Sequence, residues 1–247
     1  MPLTFAFQNG RWAASWFMTA LTVAAVLAFL QLGRWQWHRA EYKRHIAAEF
    51  SAGNQTPQPL GDRSTAAVPR YTQVRVRGSY DPVHQFLLEN LSHDGEPGYQ
   101  VLTPLQLDDG RVLLVNRGWL PLTRSRHEMP DIHLGQTSGV EVSGRLDALP
   151  VAGISLGRLP PPAGSPWPKL ASFPTMTDLS VAFGHPLEAQ QLLLNAGEPQ
   201  GYVRDWHVGG IGPERHIAYA VQWWAFALLA LILYVRLNWQ RQPAMAP

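Results

Sequence analysis

The sequence predicts an α+β membrane protein in which two transmembrane helices flank a β-rich extramembrane domain with one short helix. The two helices are predicted from two long segments, 12–33 and 217–235, because neither contains a charged side chain. Between these segments, apolar and polar residues alternate at period two over several short stretches, which is typical of half-buried strands. Short tails are predicted at the two ends of the chain, over 1–11 and 238–247.

The composition of the chain excludes several kinds of site. None of its 247 residues is cysteine, which excludes disulfides, thiolate zinc sites and cysteine nucleophiles. The formal net charge of +2 is too small to indicate nucleic-acid binding. No phosphate-binding loop, dinucleotide-binding glycine motif, H-E-x-x-H or G-x-S-x-G motif occurs, so nothing in the sequence argues for an enzyme.

The segment 12–33 is predicted to be a retained membrane anchor. At about 1.5 Å per residue it can cross a bilayer, whereas the apolar part of a signal peptide spans about 7–15 residues. The chain is then predicted to continue over 34–68 as a juxtamembrane helix followed by a linker. Arg34, Arg39 and Lys43 in this helix can meet lipid phosphates, so membrane lipid is an expected partner.

A β-rich domain is predicted over 69–208. The segment 72–78 alternates like a strand, and the sequence Asp-Asp-Gly at 108–110 between two apolar runs indicates a hairpin, because glycine accepts positive φ. A short helix is expected to begin with Thr177 as its N-cap and to end at Gly184. The segment 150–174 is rich in proline and is predicted to be irregular. The other predicted strands are 85–91, 99–107, 111–120, 140–149, 190–194 and 201–208.

A glycine-rich joint at 209–215 is predicted to lead into the second transmembrane helix, 216–237. His216 stands at the entry of this helix, and Tyr219 and Trp223 follow it on the same face at helical spacing. An imidazole can bind a metal, and two aromatic rings offer flat apolar walls. Small residues that leave room complete the face: Ala220 and Ala227. This face is therefore a plausible surface for a planar cofactor held at the membrane edge.

Four segments carry more specific motifs. They are LGRWQWHR at 32–39, YTQVRVRGSYD at 71–81, GYQVLTPL at 98–105 with LLVNRGWLP at 113–121, and HIAYAVQWW at 216–224. Read together, with an anchor at each end, these motifs resemble the surfeit-locus-protein-one family of cytochrome c oxidase assembly factors. The resemblance covers nearly the whole chain.

This resemblance implies a non-enzymatic function in the assembly of cytochrome c oxidase. The protein would bind or deliver haem a, held transiently, to the nascent largest subunit of the oxidase. Its partners would be that subunit and the machinery of haem a synthesis. Bacterial members of the family are thought to bind haem a through the histidine that matches His216. The family usually has asparagine before this histidine, where the present chain has Arg215.

The candidate cofactor-binding residues follow from this comparison. His216 can supply an axial nitrogen to haem iron, and Arg215 can pair with a haem propionate. Tyr219 and Trp223 can wall the macrocycle. The alternative is that His216 merely anchors the helix at the interface, with the two aromatic side chains among lipid headgroups.

A second set of residues is predicted to bind protein partners: Trp35, Gln36, Arg39, Asn116, Arg117, Trp119 and Gln222. The first three match the motif after the first anchor and can contact haem or client subunit, or simply form a solvated interfacial stretch. The next three follow a strand and can form a partner surface or reach a propionate, although Arg117 can equally be a structural ion-pair member. Gln222 lies within an apolar run, where a polar side chain usually bonds a neighbouring helix.

Charge and resemblance predict opposite orientations in the membrane. Basic residues are more numerous after the first anchor than before it, which by the positive-inside rule places the large domain in the cytoplasm. The resemblance instead implies a multi-pass protein of the bacterial inner membrane with a periplasmic domain, or of the mitochondrial inner membrane in a eukaryote. We follow the resemblance, because long loops can cross a membrane despite their charge.

A function of a different class remains open from the sequence. The protein can be a protein-only membrane scaffold that stabilises an oxidase assembly intermediate without binding haem.

Overall fold

The computed structural model of the protein describes residues 2–7, 10–52, 56–122, 129–151, 158–207 and 210–241. The chain forms two compact units, one made of Met1–Ala48 with Val208–Pro247 and the other of Glu49–His207. In the described residues, long apolar helices lie at the two ends and flank a β-rich domain that carries a short helix. The predicted α+β fold class is therefore confirmed.

In chain order the described elements are β1 (Pro2–Phe7), β2 (Gly10–Ser15), α1 (Trp16–Ala52), β3 (Gln58–Pro59), a 3₁₀ turn (Thr65–Ala67), β4 (Gln73–Tyr80), β5 (Phe86–His93), β6 (Glu96–Leu107), β7 (Val112–Pro121), β8 (Val140–Asp147), β9 (Lys169–Ala171), α2 (Met176–Phe183), β10 (Gln191–Leu194), α3 (Pro213–Asn238) and β11 (Trp239–Arg241).

The helices α1 and α3 have the length and composition of membrane-spanning helices. Each contains an 18-residue window of mean hydropathy 1.8, of which 6% is buried in α1 and 11% in α3. A core helix of a soluble protein would bury most of such a window, so these apolar faces remain available to lipid. The 37 residues of α1 rise roughly 55 Å, which exceeds the roughly 30 Å hydrocarbon core and leaves a charged extension beyond it.

The bounds of the terminal segments differ from those expected from the sequence. The chain before α1 forms β1 and β2, and β2 also pairs with β11 beyond α3. This antiparallel sheet joins the start of α1 to the end of α3, so the two helices run in opposite directions. Positions 1, 8–9, 209 and 242–247 of the expected tails and joint, and position 208 at the end of the expected β-rich domain, lie outside the described residues.

The strands of the second unit form one sheet that closes on itself. Its order in the described residues is β3-β4-β8-β10-β7-β6-β5-β9, and β4 also pairs with β6 through Gly78–Tyr80. The strands β4, β8, β10, β7 and β6 therefore make a closed barrel. Its interior is filled by apolar side chains from all five strands, including Val74, Leu105, Leu113 and Leu192.

The local patterns of the sequence account for most of these strands. Residues of β4 alternate between buried and exposed, as the period-two pattern predicted. The strands β6 and β7 form the predicted hairpin, and Gly110 in its turn has φ of 87°. At this φ a side chain beyond glycine would be strained.

Three details of the prediction are wrong. Helix α2 is capped by Thr175 rather than Thr177, because the Thr175 hydroxyl accepts from the Asp178 backbone N–H while the Asp178 carboxylate accepts from Thr175. Segment 201–208 forms no strand among its described residues and contributes one isolated bridge, from Val203 to Trp119. The proline-rich segment 150–174, of which 152–157 is not described, contains β9, which pairs in parallel with β5.

Candidate functional site

His216 lies in the first turn of α3 and contacts α1 through its imidazole. The ring nitrogen Nδ1 is 2.7 Å from Oε1 of Gln36. Both side chains are half-buried. An amide oxygen only accepts hydrogen bonds, so Nδ1 of His216 donates. Among the described residues none bonds to Nε2 of this ring, which is the nitrogen with the lone pair when a neutral imidazole carries its proton on Nδ1.

Beyond His216 the two long helices are in close contact. Ala220 and Ala227 are 0% and 3% exposed, and Gly33 of α1 is also buried. A side chain added at Gly33 would collide with the indole of Trp224. The alanines predicted to leave room for a cofactor instead let the helices approach, as small residues do in membrane helix pairs.

Aromatic and polar contacts extend this helix pairing. The ring of Trp223 stacks on Phe29 of α1 with centroids 5.8 Å apart, and Phe226 meets both rings. Nearer the chain termini, the hydroxyls of Thr19 and Tyr234 are 2.5 Å apart. Trp223, predicted to wall a cofactor, thus packs between the two helices in this structure, and its contact with a cofactor stays a prediction.

Other predicted cofactor residues stay on the surface. Arg215 is exposed and precedes His216 in the first turn of α3. Tyr219, one turn further along, is 47% exposed. If His216 held a planar group, Arg215 and Tyr219 are the exposed side chains next to it on α3 that could contact that group. The close approach of Ala220 and Gly33 leaves the seam between the helices closed.

The partner residues predicted on α1 and α3 are accessible, with one exception. Trp35 is 51% exposed, and Arg39 lies over its ring at 5.7 Å. Gln222 is exposed within the apolar part of α3. Gln36 is the exception, because it is half-buried and bonded to His216.

The partner surface predicted at Asn116 and Arg117 is corrected by their burial. Asn116 is 0% exposed and donates to the side-chain oxygens of Gln100 and Gln191 at 2.9 and 3.0 Å. Arg117 is 2% exposed. Asn116 and Arg117 are neighbours in β7 and therefore face opposite sides of the sheet, but both sides are covered by other parts of the domain. Neither is available to a partner in this folded state.

Arg117 is held by neutral acceptors. Its guanidinium donates to the backbone oxygens of Gln200 and Ile132, to Oε1 of Gln85 and to the hydroxyl of Tyr202, over 2.8–3.2 Å. Burial lowers the pKa of Arg117, although Tyr202 and Tyr80 oppose this shift. Burial likewise raises the pKa of Tyr80 to about 12. The predicted alternative of a structural role for Arg117 fits this network, with hydrogen bonds in place of an ion pair.

Trp119, the third residue predicted on this partner surface, is neither fully buried nor fully exposed. Its indole nitrogen donates to the Leu91 backbone oxygen at 3.2 Å, and its ring lies 5.3 Å from that of His93. The backbone of Trp119 pairs with Val203. The side chain is half-buried, so its exposed edge remains accessible.

Comparison with known proteins agrees with this architecture. A family model described as the SURF1 family matches residues 23–228. This chain belongs to the SURF1 family. The match begins inside α1 and ends inside α3, so it contains the β-rich domain and His216. The resemblance inferred from the four motifs is confirmed.

A curated relative gives a second comparison. A SURF1-like protein of Dictyostelium discoideum is 31% identical over 117 residues, which cover 42% of this chain and 43% of the relative. The matched region therefore spans less than half of the relative's length.

The β-rich domain of this SURF1 family protein also contains a cavity that sequence reasoning missed. Its volume is about 1210 Å³, and its lining includes Asp81, His84, Arg111 and Glu188. His84 Nδ1 lies 2.6 Å from Oδ2 of Asp81. In the sequence, the spacing of three residues between Asp81 and His84 could have indicated this contact. No local signal pointed to Glu188.

The charged groups of this cavity are largely engaged with the protein. Glu188 accepts from the hydroxyls of Ser64 and Thr65 and from the Thr65 backbone N–H, and it pairs with Arg111 at 3.1 Å. Burial raises the pKa of Glu188, but these hydrogen bonds outweigh it and hold the pKa below its usual value. In the described part of the chain, no group of three or more His, Asp or Glu side chains is arranged to hold a metal ion.

Proposed function

We propose that this protein is a membrane-bound assembly factor for cytochrome c oxidase that carries haem a and delivers it to the nascent largest subunit. The observation that carries this proposal is the half-buried His216, whose Nδ1 is hydrogen-bonded to Gln36 while Nε2 has no hydrogen-bond partner among the described residues. Membership of the SURF1 family supports the link to oxidase assembly.

The residues around His216 suit a porphyrin with carboxylate side chains. A neutral imidazole nitrogen is a common axial ligand of haem iron. The exposed guanidinium of Arg215 can pair with a propionate, and the exposed ring of Tyr219 offers apolar contact. When bound, haem would thus be held by His216, with Arg215 and Tyr219 as its further contacts.

The small set of residues proposed to hold haem also suits release. Ala220 and Gly33 close the seam between the helices, so haem would be held by His216, Arg215 and Tyr219 rather than by an enclosing pocket between the helices. Modest affinity follows, because a ligand that keeps much of its surface exposed loses less water on binding. A carrier that receives haem from its synthesis machinery and passes it on needs such reversible binding.

The proposed location is the inner membrane of a bacterial cell, or of a mitochondrion in a eukaryote, with the β-rich domain on the outer side. Two apolar helices that run in opposite directions support a double crossing. The extension of α1 beyond the hydrocarbon core carries Arg39 and Arg44, which can meet lipid phosphates.

The direct test is a haem spectrum. The full-length protein is co-produced with the enzymes of haem a synthesis and purified in detergent, and we expect a haem a absorption spectrum that His216→Ala abolishes. His38→Ala is the matched control, because His38 is an exposed histidine of α1 and pairs with Glu41. A colourless wild-type protein at matched haem a levels would contradict the proposal.

One observation favours a second candidate, a protein-only scaffold for an oxidase assembly intermediate. Gln222 is exposed within the apolar part of α3, where an amide facing lipid is unfavourable unless it bonds a partner helix. This candidate predicts that Gln222→Leu impairs oxidase assembly while His216→Ala does not. The haem carrier predicts the loss of assembly in His216→Ala.

A further inference from the structure

We propose that Gln36 is a positioning residue for haem a, holding the His216 imidazole in the tautomer and orientation that present Nε2 to iron. This inference rests on the proposed function. The contact joins α1 to α3 across 180 positions of the sequence, with Gln36 Oε1 at 2.7 Å from His216 Nδ1. Gln36 was expected from the sequence to face a partner or haem, and it instead contacts the ligand residue.

The tautomer follows from the chemistry of the two groups. A neutral imidazole carries its proton on one nitrogen, and the other nitrogen holds the lone pair that binds metal. Because the amide oxygen of Gln36 accepts the Nδ1 proton, Nε2 is the nitrogen left to bind iron. Without this acceptor the two tautomers would compete, and part of the population would present a protonated Nε2.

The contact also limits rotation of the ring. His216 is in the first turn of α3, where the preceding Gly212 supplies no side-chain cap. Gln36 lies one turn beyond Gly33, at which α1 and α3 are in contact. The Gln36 amide therefore lies where α1 packs against α3. Its hydrogen bond orients the His216 imidazole, which the first turn of α3 alone would leave free to rotate.

The choice of an amide rather than a carboxylate has a consequence for release. A carboxylate that accepted the Nδ1 proton would give the imidazole more anionic character and strengthen its bond to ferric iron. Glutamine is neutral, so it orients the ring without this strengthening. Gln36 therefore combines a defined ligand geometry with the weak binding that a carrier needs.

The test compares Gln36→Leu, Gln36→Glu and the control Gln31→Leu, which makes the same replacement at an exposed position of α1. Each full-length protein in detergent is titrated with haem a, and its midpoint potential and its rate of haem transfer to excess apomyoglobin are measured. We expect Gln36→Leu to weaken haem binding about 10-fold or more. Gln36→Glu should lower the potential and slow the transfer, and Gln31→Leu should match the wild type.

The outcomes separate this inference from the proposed function. If haem binding depends on His216 but both Gln36 variants keep the wild-type affinity, potential and transfer rate, the role of Gln36 is overturned and the carrier function stands. If the wild type binds no haem a, both are overturned. Should Gln36→Leu fail to fold, the potential and transfer rate of Gln36→Glu decide the question, because a merely structural contact would change neither.

Discussion

Arg117 illustrates how a charged residue can belong to the interior of this domain. Its guanidinium is buried among backbone oxygens, Gln85 and Tyr202, and its described partners are uncharged. Charge-assisted hydrogen bonds of this kind offset the cost of removing the charge from water. The network also ties β7 to Ile132 and Gln200, which lie in loops without regular structure.

Replacing Arg117 with lysine should destabilise the β-rich domain. A single ammonium cannot reproduce the planar set of donors, so several buried acceptors would lose their bonds, at a cost of about 3 kcal/mol. The measurement is thermal or denaturant unfolding of the purified protein, followed by the β-sheet signal in circular dichroism.

Arg75→Lys is the control for Arg117→Lys. Arg75 is on β4, where its side chain is 44% exposed and lies 3.6 Å from Glu141. Such an exposed pair contributes about 0–1 kcal/mol, so this variant should unfold close to the wild type. Equal stability of the two variants would show that the buried network contributes little.

Glu188 makes the stability of the domain depend on pH. Its folded-state pKa lies below its usual value of 4.5, because hydrogen bonds from Thr65 and Ser64 and the pair with Arg111 outweigh burial. The stabilisation is therefore fully present above the unfolded pKa and is lost as the pH falls through the folded pKa. Glu188→Gln should be less stable at neutral pH and lose less stability on acidification below about pH 5.

Unfolding measured as a function of pH checks this expectation. The control is Glu141→Gln, since the side chain of Glu141 is 60% exposed on the surface of β8. Its profile should run parallel to that of the wild type. If the Glu188→Gln profile did the same, the carboxylate of Glu188 would have no special part in acid stability.

At the scale of elements, α2 shows how a local motif is selected by its surroundings. Two threonines two positions apart can each begin this helix, and both are exposed. Thr175 is the N-cap because Asp178, its partner in the capping box, also pairs with Arg158 at 2.6 Å. The capping box with Thr175 and the ion pair with Arg158 thus both hold the first turn of α2. In this position Leu179 packs into the core of the domain.

The two threonines can be distinguished by substitution. Thr175→Ala should lower the stability of the domain by about 1 kcal/mol, because the Asp178 backbone N–H loses its acceptor. Thr177→Ala should be neutral or slightly stabilising, since Thr177 lies inside the helix and alanine has the better helix propensity. Denaturant unfolding of both variants gives the comparison. If Thr177→Ala lost more stability than Thr175→Ala, the result would support Thr177 as the N-cap, as expected from the sequence.

At the scale of the whole molecule, the two long apolar helices bear on which side of a membrane each part of the chain can face. The helices α1 and α3 run in opposite directions, and the sheet of β1, β2 and β11 lies at the chain ends. A chain that crosses the membrane twice places the domain between the crossings on one side and both ends on the other. The charge pattern and the SURF1 family resemblance assign that domain to opposite sides.

Single cysteines can decide the orientation, because the chain has none of its own. Val181 on α2 and Leu237 near the end of α3 are 78% and 75% exposed. In bacterial spheroplasts, we expect a membrane-impermeant maleimide to label Val181→Cys from outside and Leu237→Cys after permeabilisation alone. The reverse pattern would support the positive-inside rule. Labelling of both from outside would contradict a double crossing.

Features that depend on neighbouring residues were determined by the sequence. The two apolar runs, the alternating pattern of β4, the turn at Gly110 and the C-cap at Gly184 were all correctly predicted. Each depends either on the spacing of apolar residues along a short segment or on the backbone angle φ of a single glycine. The family was also recognisable, because its motifs are short and keep their order along the chain.

The tertiary structure decided which of these residues meet. Closure of the barrel by β4 and β6, the burial of Arg117 and the packing of Trp223 on Phe29 depend on segments far apart in the chain. The contact between Gln36 and His216 is the clearest example, since its partners are 180 positions apart. A local pattern cannot specify such pairs, because the free energy that selects them comes from burying several elements against one another.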